Sequence, residues 1–518
     1  MSAPARPRPA PPAPASAPAS ASPGASPGAP PTLARELGTL GLLATGVGSM
    51  VGVAINVIPF TLARTVPGIG PWVLPAFAVA ALGALLAGLA HASLGSAMPR
   101  AGGSYVYATR GLDPYLGFVA SVSQWFALST AIGVVAYMLV PFVRDALAAG
   151  GWGAGAALLE RPAARLALPL VALWSAAALN LRGVRAYART MVPLMFVVLA
   201  IGLVVIVGGF AHDADDFARA LARVGDVVPP APAAPFDLGR FGTAAALLFS
   251  SFIGFEAVAQ GGGEARDPGR TVPRATVLAV VLVAAFYLLF VAAVQHTVPW
   301  PWIAREAAGR DLTAPGMLGA VLPRGWTVVA VAGAAVALAK DLPPMLLSVS
   351  RLMFAWAEDG IAPAAITRVH RRWRTPWVAI LASTAVASLC VVGSHLAGDF
   401  FLGVDVLVLA MTAGYLLVCA TVLTLPRRNP ALARAVRVLP GRAAQVTVAT
   451  LGLLLLGAFL AVHAWRDLTA PAAHWWLRAT PVWGVVLLLA TLAYAAGVRR
   501  LRRAGVDVRA RLAALPPA

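Results

Sequence analysis

Twelve separate runs of this chain stay apolar for roughly 18 residues or more, each long enough to cross about 30 Å of hydrocarbon as a helix. Lipid offers no partner to backbone N–H and C=O groups, so a helix that bonds internally is the natural way through. The composition agrees: of 518 residues, 59% are hydrophobic and only 12% are charged. The predicted fold class is therefore an all-α polytopic membrane protein with about 12 transmembrane helices. The spans are expected at about 38–63, 72–97, 115–143, 164–181, 187–210, 241–261, 276–297, 326–356, 376–396, 401–425, 444–464 and 480–498. The eighth is long enough to run on into the cytoplasm as an amphipathic extension.

The formal net charge is +19. A basic balance can signal nucleic acid, but here the charges sit between apolar segments, so no nucleic-acid partner is expected. Nearly all the cations are arginine and a single one, Lys340, is lysine. Together with the abundance of Ala, Gly and Pro, this reads as a GC-rich, bacterial genome. With the N-terminus inside, about two-thirds of the arginines fall on the cytoplasmic side, as the positive-inside rule requires. The outer loop at 211–240 then carries Asp213, Asp215, Asp216, Asp226 and Asp237. The expected location is the plasma membrane, multi-pass, with both termini cytoplasmic. Residues 1–33 form a Pro/Ala/Ser tract without the means to build a core, read as a disordered cytoplasmic tail with no cleavable signal. Residues 499–518 open with RRLRR, a basic juxtamembrane cluster. Cys390 and Cys419 lie in apolar segments without disulfide or zinc spacing, so neither a metal site nor a cofactor is expected.

Two interruptions stand out. Span 1 contains GVGSMVG, Gly46 to Gly52, and glycine at that density weakens a helix at mid-membrane depth, although close helix packing also uses it. Five spans later the run from Phe249 to Thr276 breaks at Ser250-Ser251-Phe252-Ile253-Gly254 and places Glu256 among hydrophobic neighbours. Paired breaks in corresponding helices of two halves point to a transporter binding site. Freed N–H groups attract a carboxylate and freed carbonyls accept from an ammonium. The candidate substrate-binding residues are therefore Gly48, Ser49, Met50, Val51 and Gly52, expected to meet a carboxylate, with Ser250, Ser251, Phe252, Ile253 and Gly254, expected to meet an amine. Glu256 is open between a structural carboxylate and a pocket role. His91 reads as helix packing. Gly261-Gly262-Gly263 ends span 6 and lacks the strand–turn–helix context of a phosphate loop.

Three passages carry a family resemblance over about residues 38 to 425. The first is LGSAMPRAGGSYVYATRGLDPYLGF, Leu94 to Phe118, where Pro99, Gly102, Gly103, Ser104, Tyr105 and Tyr107 match a cytoplasmic loop pattern. The second is FIGFEAVA with Glu264, Asp267, Pro268, Arg270, Pro273 and Arg274 after it; the third is SRLMFAWAEDGIAP, Ser350 to Pro363, followed by Thr375-Pro376. In this order they resemble the amino acid–polyamine–organocation permeases. The resemblance implies a LeuT-type fold of two inverted five-helix repeats, about 38–210 and 241–425 within a core at 34–425, plus two further helices at 426–498. It also implies secondary transport of amino acids or related amines by alternating access. The chain departs from the family pattern in span 1, where Ala54 takes a small position and Asn56 replaces an aromatic; Asn56 is open between a bond within the bundle and contact with substrate. Many relatives carry a gating aromatic at the slot of Ser250; here Phe249 is adjacent to that slot and is a candidate for a gating or pocket role, and span 5 holds no lysine.

Lys340 instead lies in span 8, next to Asp341, Pro343 and Pro344. Charges in a membrane helix pair or face a cavity. Adjacent helix residues point about 100° apart, which makes a direct Lys340–Asp341 contact awkward. Both are candidate coupling residues, with protons the candidate ion; an ion pair that only holds a Pro-kinked helix is the alternative. The partners expected are a small-molecule amino acid or amine and the lipid bilayer. A transporter-like receptor and a transporter of another fold for a different organic substrate remain competing readings, while no clustered catalytic constellation supports an enzyme.

Overall fold

The computed structural model describes residues 32–310, 312–397, 401–470 and 474–516. The expected N-terminal tail lies outside them up to residue 31. Among the described residues the chain is helical, apart from turns and one isolated backbone bridge between Leu37 and Ala265. Among the described residues twelve helical segments are long and apolar enough to cross a membrane: Thr39–Thr65, Gly70–Ala97, Pro114–Ala149, Pro162–Leu181, Val184–Ala211, Leu238–Glu264, Pro268–Thr297, Val328–Glu358, Trp377–Leu396, Leu402–Arg428, Arg442–Thr469 and Ala479–Arg503. They are numbered spans 1 to 12 below.

Burial sorts the spans into centre and periphery. In its most apolar 18 residues span 6 is 78% buried inside the protein and span 12 only 6%, so the broken helix is enclosed by its neighbours while the last helix turns its apolar side chains outward. Span 7 starts at Pro268, eight residues before the expected position. Pro268 occupies the first helical turn, where its missing N–H costs no hydrogen bond, so the helix begins in the polar basic segment and enters the apolar stretch already formed.

Two spans are interrupted. Span 1 runs as Thr39–Met50 and resumes as Val53–Thr65, with Val51 and Gly52 between. Span 6 runs as Leu238–Phe249, tightens to a 3₁₀ turn at Ser250–Phe252, loses helical form through Glu256, and ends in Ala257–Gln260 and the 3₁₀ turn Gly261–Glu264. Span 8 keeps helical form past Pro343 and Pro344.

Both described ends of the chain lie on one face, which is tightly closed. Leu37 N–H donates to Glu264 O at 2.9 Å and Arg266 N–H to Leu37 O at 2.8 Å. Glu264 is buried with Arg351 of span 8 in a two-pronged pair at 2.6 and 3.1 Å. Gln124 of span 3 links Ser104 at 2.5 Å and Gln260 of span 6 at 3.1 Å. The loop helix Gly103–Gly111 packs here because Gly102, at φ +94°, brings the backbone so close that a Cβ would sit 2.4 Å from the Ala355 methyl. Arg110 of that helix pairs with Asp359 at 2.7 and 2.8 Å. The chain's last turn crosses the same surface: Arg100 donates to Pro516 O at 3.0 Å, Arg110 to Ala514 O at 3.1 Å, and Arg511 to Glu358 O at 2.9 Å.

The aspartates of the 211–240 loop organise that segment. Asp213 caps the short helix Ala214–Ala222 in a capping box with Asp216, and Asp237 caps span 6. Asp226 accepts from the Trp302 indole at 3.1 Å and pairs with Arg305 at 2.7 Å. These bonds hold the Asp226 carboxyl below the ordinary carboxylate range. A lowered carboxyl stabilises the loop above the unfolded pKa of about 3.9, and that contribution is lost as pH falls through the folded value. The protection of the loop against hydrogen exchange, corrected for the intrinsic pH dependence of amide exchange, should be constant from about pH 7 to 5 and fall below about pH 4. An opening transition between pH 5 and 7 would contradict this assignment. At the closed face, Arg351→Met should cost about 3–5 kcal/mol because it strands the buried Glu264 carboxylate. The double variant Glu264→Gln with Arg351→Met should recover most of the melting temperature; equal loss in both would show that the pair is not the cause.

Candidate functional site

Where span 1 stops at Met50, the carbonyls of its last turn lose their next-turn N–H donors. They find others. Gly48 O accepts from Lys340 Nζ at 2.9 Å and Met50 O from the Tyr287 hydroxyl at 2.5 Å. Ser49 O lies against Gly254 of the other break, so closely that a Cβ on Gly254 would sit 2.4 Å from it. Gly254 holds φ +134°, a region open to glycine, and this is why the two interruptions can touch. Its N–H, freed from the helix, donates to Glu256 Oε2 at 3.0 Å, and the Tyr415 hydroxyl of span 10 donates to the same oxygen at 2.6 Å. Glu256 thus ties the unwound backbone of span 6 to span 10.

A cavity of about 90 Å³ lies between the breaks. Its backbone end carries Ser49, Gly52, Ser250 and Ser251, and Asp341 reaches it from span 8. The rest of the lining is mostly apolar, with Leu128, Val134 and Met138 of span 3, Met345 of span 8 and Leu407 of span 10. Ser251 is buried, and its hydroxyl has no protein partner among the described residues. Val134 and Met138 also border a second cavity, of about 210 Å³, with Arg144, Glu160 and Arg165 on its wall. Together the two cavities lead away from the closed terminal face.

Seven of the residues singled out in the sequence line the first cavity: Ser49, Met50, Gly52, Ser250, Ser251, Ile253 and Asp341. The others stand behind it. Val51 and Asn56 border a separate small cavity towards span 5, and Asn56 donates to Gly52 O at 3.1 Å. Phe252 packs on Phe77 and Tyr287, with ring centroids 5.3 and 5.4 Å away. Phe249 is buried against Phe459 at 5.4 Å and turns away from the cavity. Gly48 is engaged by Lys340, Gly254 by Ser49, and Glu256 by Tyr415. His91 is held by its own helix at Ala87 O and packs against Phe255 and Tyr415.

The contact between neighbours that helix geometry disfavours is made. Lys340 Nζ bonds Asp341 Oδ1 at 2.9 Å, with both residues buried. The lysine's four-carbon stem spans the angular offset, while the short aspartate stays at Gly52. The aliphatic wall residues Leu128, Met138 and Leu407 gave no signal in the sequence, since an apolar residue in an apolar helix does not reveal which face it occupies. Among the described residues no group of His, Cys, Asp and Glu could hold a metal. The arrangement suits capture of a small polar head group by freed backbone, hydroxyls and one carboxylate, with an apolar body against spans 3 and 10.

Comparison with known proteins agrees with this architecture. A family model described as amino acid permease matches residues 37–488. An uncharacterized transporter of Mycobacterium tuberculosis is 30% identical over 69% of this chain and 73% of its own length. The branched-chain amino acid permease BcaP of Bacillus subtilis is 26% identical over 80% of this chain and 86% of its own. Cationic amino acid transporter 4 of Mus musculus is 30% identical over 68% of this chain and 54% of its own. These relatives are transporters, not enzymes. With a family match over most of its length and twelve membrane-spanning helices, the chain belongs to the amino acid permease family of multi-pass membrane transport proteins.

Proposed function

We propose that this permease is a secondary transporter of neutral, apolar amino acids. It works by alternating access in a bacterial cell membrane, with both termini cytoplasmic. The observation that carries the substrate class is the cavity at the two helix breaks. Its polar side chains are Ser49, Ser250, Ser251 and Asp341, and the rest of the lining is mostly apolar, including Leu128, Val134, Met138 and Leu407. A charged side chain placed there would lose its hydration without a partner. Among the relatives, one is named for branched-chain and another for cationic amino acids. The aliphatic wall favours the former kind of substrate.

The closed terminal face and the cavities leading away from it support an outward-accessible state, given the arginine asymmetry. Lys340 supports a reading of the coupling. Its ammonium sits at the Gly48 carbonyl of the first break, where a monovalent cation would find its oxygen ligand. A covalently attached cation there makes bound sodium unnecessary and leaves protons as the coupling ion.

Uptake of leucine into proteoliposomes of the purified chain tests this function. Valine, isoleucine and methionine should compete, arginine and glutamate should not, and replacing sodium with choline should leave the rate unchanged. Equal competition by arginine would refute the substrate class, and binding without uptake would make the protein a receptor. Gly52→Leu should abolish uptake with membrane insertion intact, because a Cβ at Gly52 would lie 1.8 Å from Asp341 Oδ2. Topology is checked on a background lacking Cys390 and Cys419: Asp226→Cys should label from outside and Arg270→Cys from the cytoplasm. Labelling of the first only from the cytoplasm would invert the orientation. Lys340→Met should alter the pH profile of uptake; a wild-type rate and profile would reduce Lys340 to a structural charge.

A further inference from the structure

After span 12 the chain stays on the closed face. Arg500 donates to the carbonyls of Gly360 and Ala362 at 2.7 and 3.1 Å. Gly360, at φ +82°, lets the Leu501 side chain approach so closely that a Cβ there would lie 2.8 Å from it. These contacts root the segment on the end of span 8. Asp507 then caps a short helix, Val508–Ala513, which packs on the loop helix Gly103–Gly111 and buries Leu512. Arg511 donates to the carbonyls of Glu358 and Asp359 at 2.9 and 3.0 Å. Beyond this helix the backbone reaches a different part of the molecule, where Arg100 Nε donates to Pro516 O at 3.0 Å. Arg100 follows span 2, and its own carbonyl lies against the end of span 6, where a Cβ on Gly262 would sit 3.1 Å from it. Residues 511 to 516 therefore join span 8 to the side formed by spans 2 and 6.

Those two sides must part when the lower half of span 6 leaves Arg351. The moorings are unequal. Root and helix are held by several bonds and a buried leucine, whereas the tip gives the half-buried Arg100 a backbone carbonyl. A bond of that kind exchanges readily with water, so the tip can let go while the root stays in place. We propose that residues 507–516 are a strap that locks this face shut. It stays rooted on span 8, holds the other side through Arg100, and must release Pro516 before the face opens. The strap thereby biases the transport cycle towards the outward-accessible state. The inference rests on the alternating-access reading and on the terminal face being cytoplasmic.

The test uses cysteine reporters in membrane vesicles, on the background lacking Cys390 and Cys419. Ala259→Cys, buried beside Gly103 of the loop helix, reads opening of the closed face to a membrane-impermeant maleimide from the cytoplasmic side. Met138→Cys, on the wall of both larger cavities, reads access from outside. A chain ending at Val506 and the full chain with Arg100→Met should each label at Ala259→Cys at least about tenfold faster, the scale of one lost charged hydrogen bond. Labelling at Met138→Cys should slow in the same variants, because opening one side closes the other. Adding a peptide of residues 507–518 to the shortened chain should restore protection. Wild-type labelling rates at both reporters would overturn the proposal. So would faster labelling at both, which marks a loosened fold and not a released strap. If the shortened chain fails to fold, Arg100→Met decides alone. Leucine uptake by the full chain tests the transport reading separately: its absence refutes that reading, while unchanged labelling with intact uptake refutes the strap alone.

Discussion

A helix interrupted inside hydrocarbon has to find new partners for every backbone group it frees, and this protein arranges its interior around two such interruptions. Hydrocarbon offers no partner to the carbonyls of Gly48 and Met50 or the N–H of Gly254. The protein supplies a lysine from span 8, a tyrosine from span 7 and a carboxylate from span 6 itself. Each substitute partner belongs to a helix that is thereby fixed beside the breaks. Span 6 is accordingly the most enclosed of the twelve, and spans 3, 8 and 10 converge on the same point.

The buried charges follow the same logic with higher stakes. Glu264 with Arg351 and Arg110 with Asp359 are near the terminal face, and both are two-pronged guanidinium–carboxylate pairs. That geometry satisfies both carboxylate oxygens and suits a fixed structural contact. Lys340 with Asp341 is built differently. An ammonium is a point charge that here bonds one carboxylate oxygen, while the other lies at Gly52, and Asp341 and Gly52 both line the cavity. The difference between arginine and lysine thus separates the pairs at the closed face from the pair at the cavity.

Closure of the terminal face draws on segments far apart in the chain. Residues 36–37 bind the end of span 6, the loop helix after span 2 binds the end of span 8, and residues 514–516 are held across both Arg100 and Arg110. For the cavity to open to this side, the lower half of span 6 must leave Arg351 and Gln124 together. Few contacts can give way independently, so the face is expected to switch as a unit and not by gradual loosening.

The positions of the spans were legible in the sequence because hydrocarbon selects composition directly: any run long and apolar enough to cross must be apolar throughout. The breaks were legible too, since glycine clusters and a carboxylate interrupt that uniformity, and Ser49, Gly52, Ser250 and Ser251 meet at one cavity as their spacing in two halves suggested. What the tertiary structure decided is which face each helix turns. Phe249, adjacent to the slot where relatives carry an aromatic, packs on Phe459, while Leu128, Met138 and Leu407, indistinguishable from lipid-facing neighbours in sequence, line the cavity. The reach of Asp341 to Gly52 was equally hidden. Residues nearly three hundred positions apart carry no local sign of each other, and only the packing of span 8 against the first break brings the carboxylate into the space that a missing side chain leaves open.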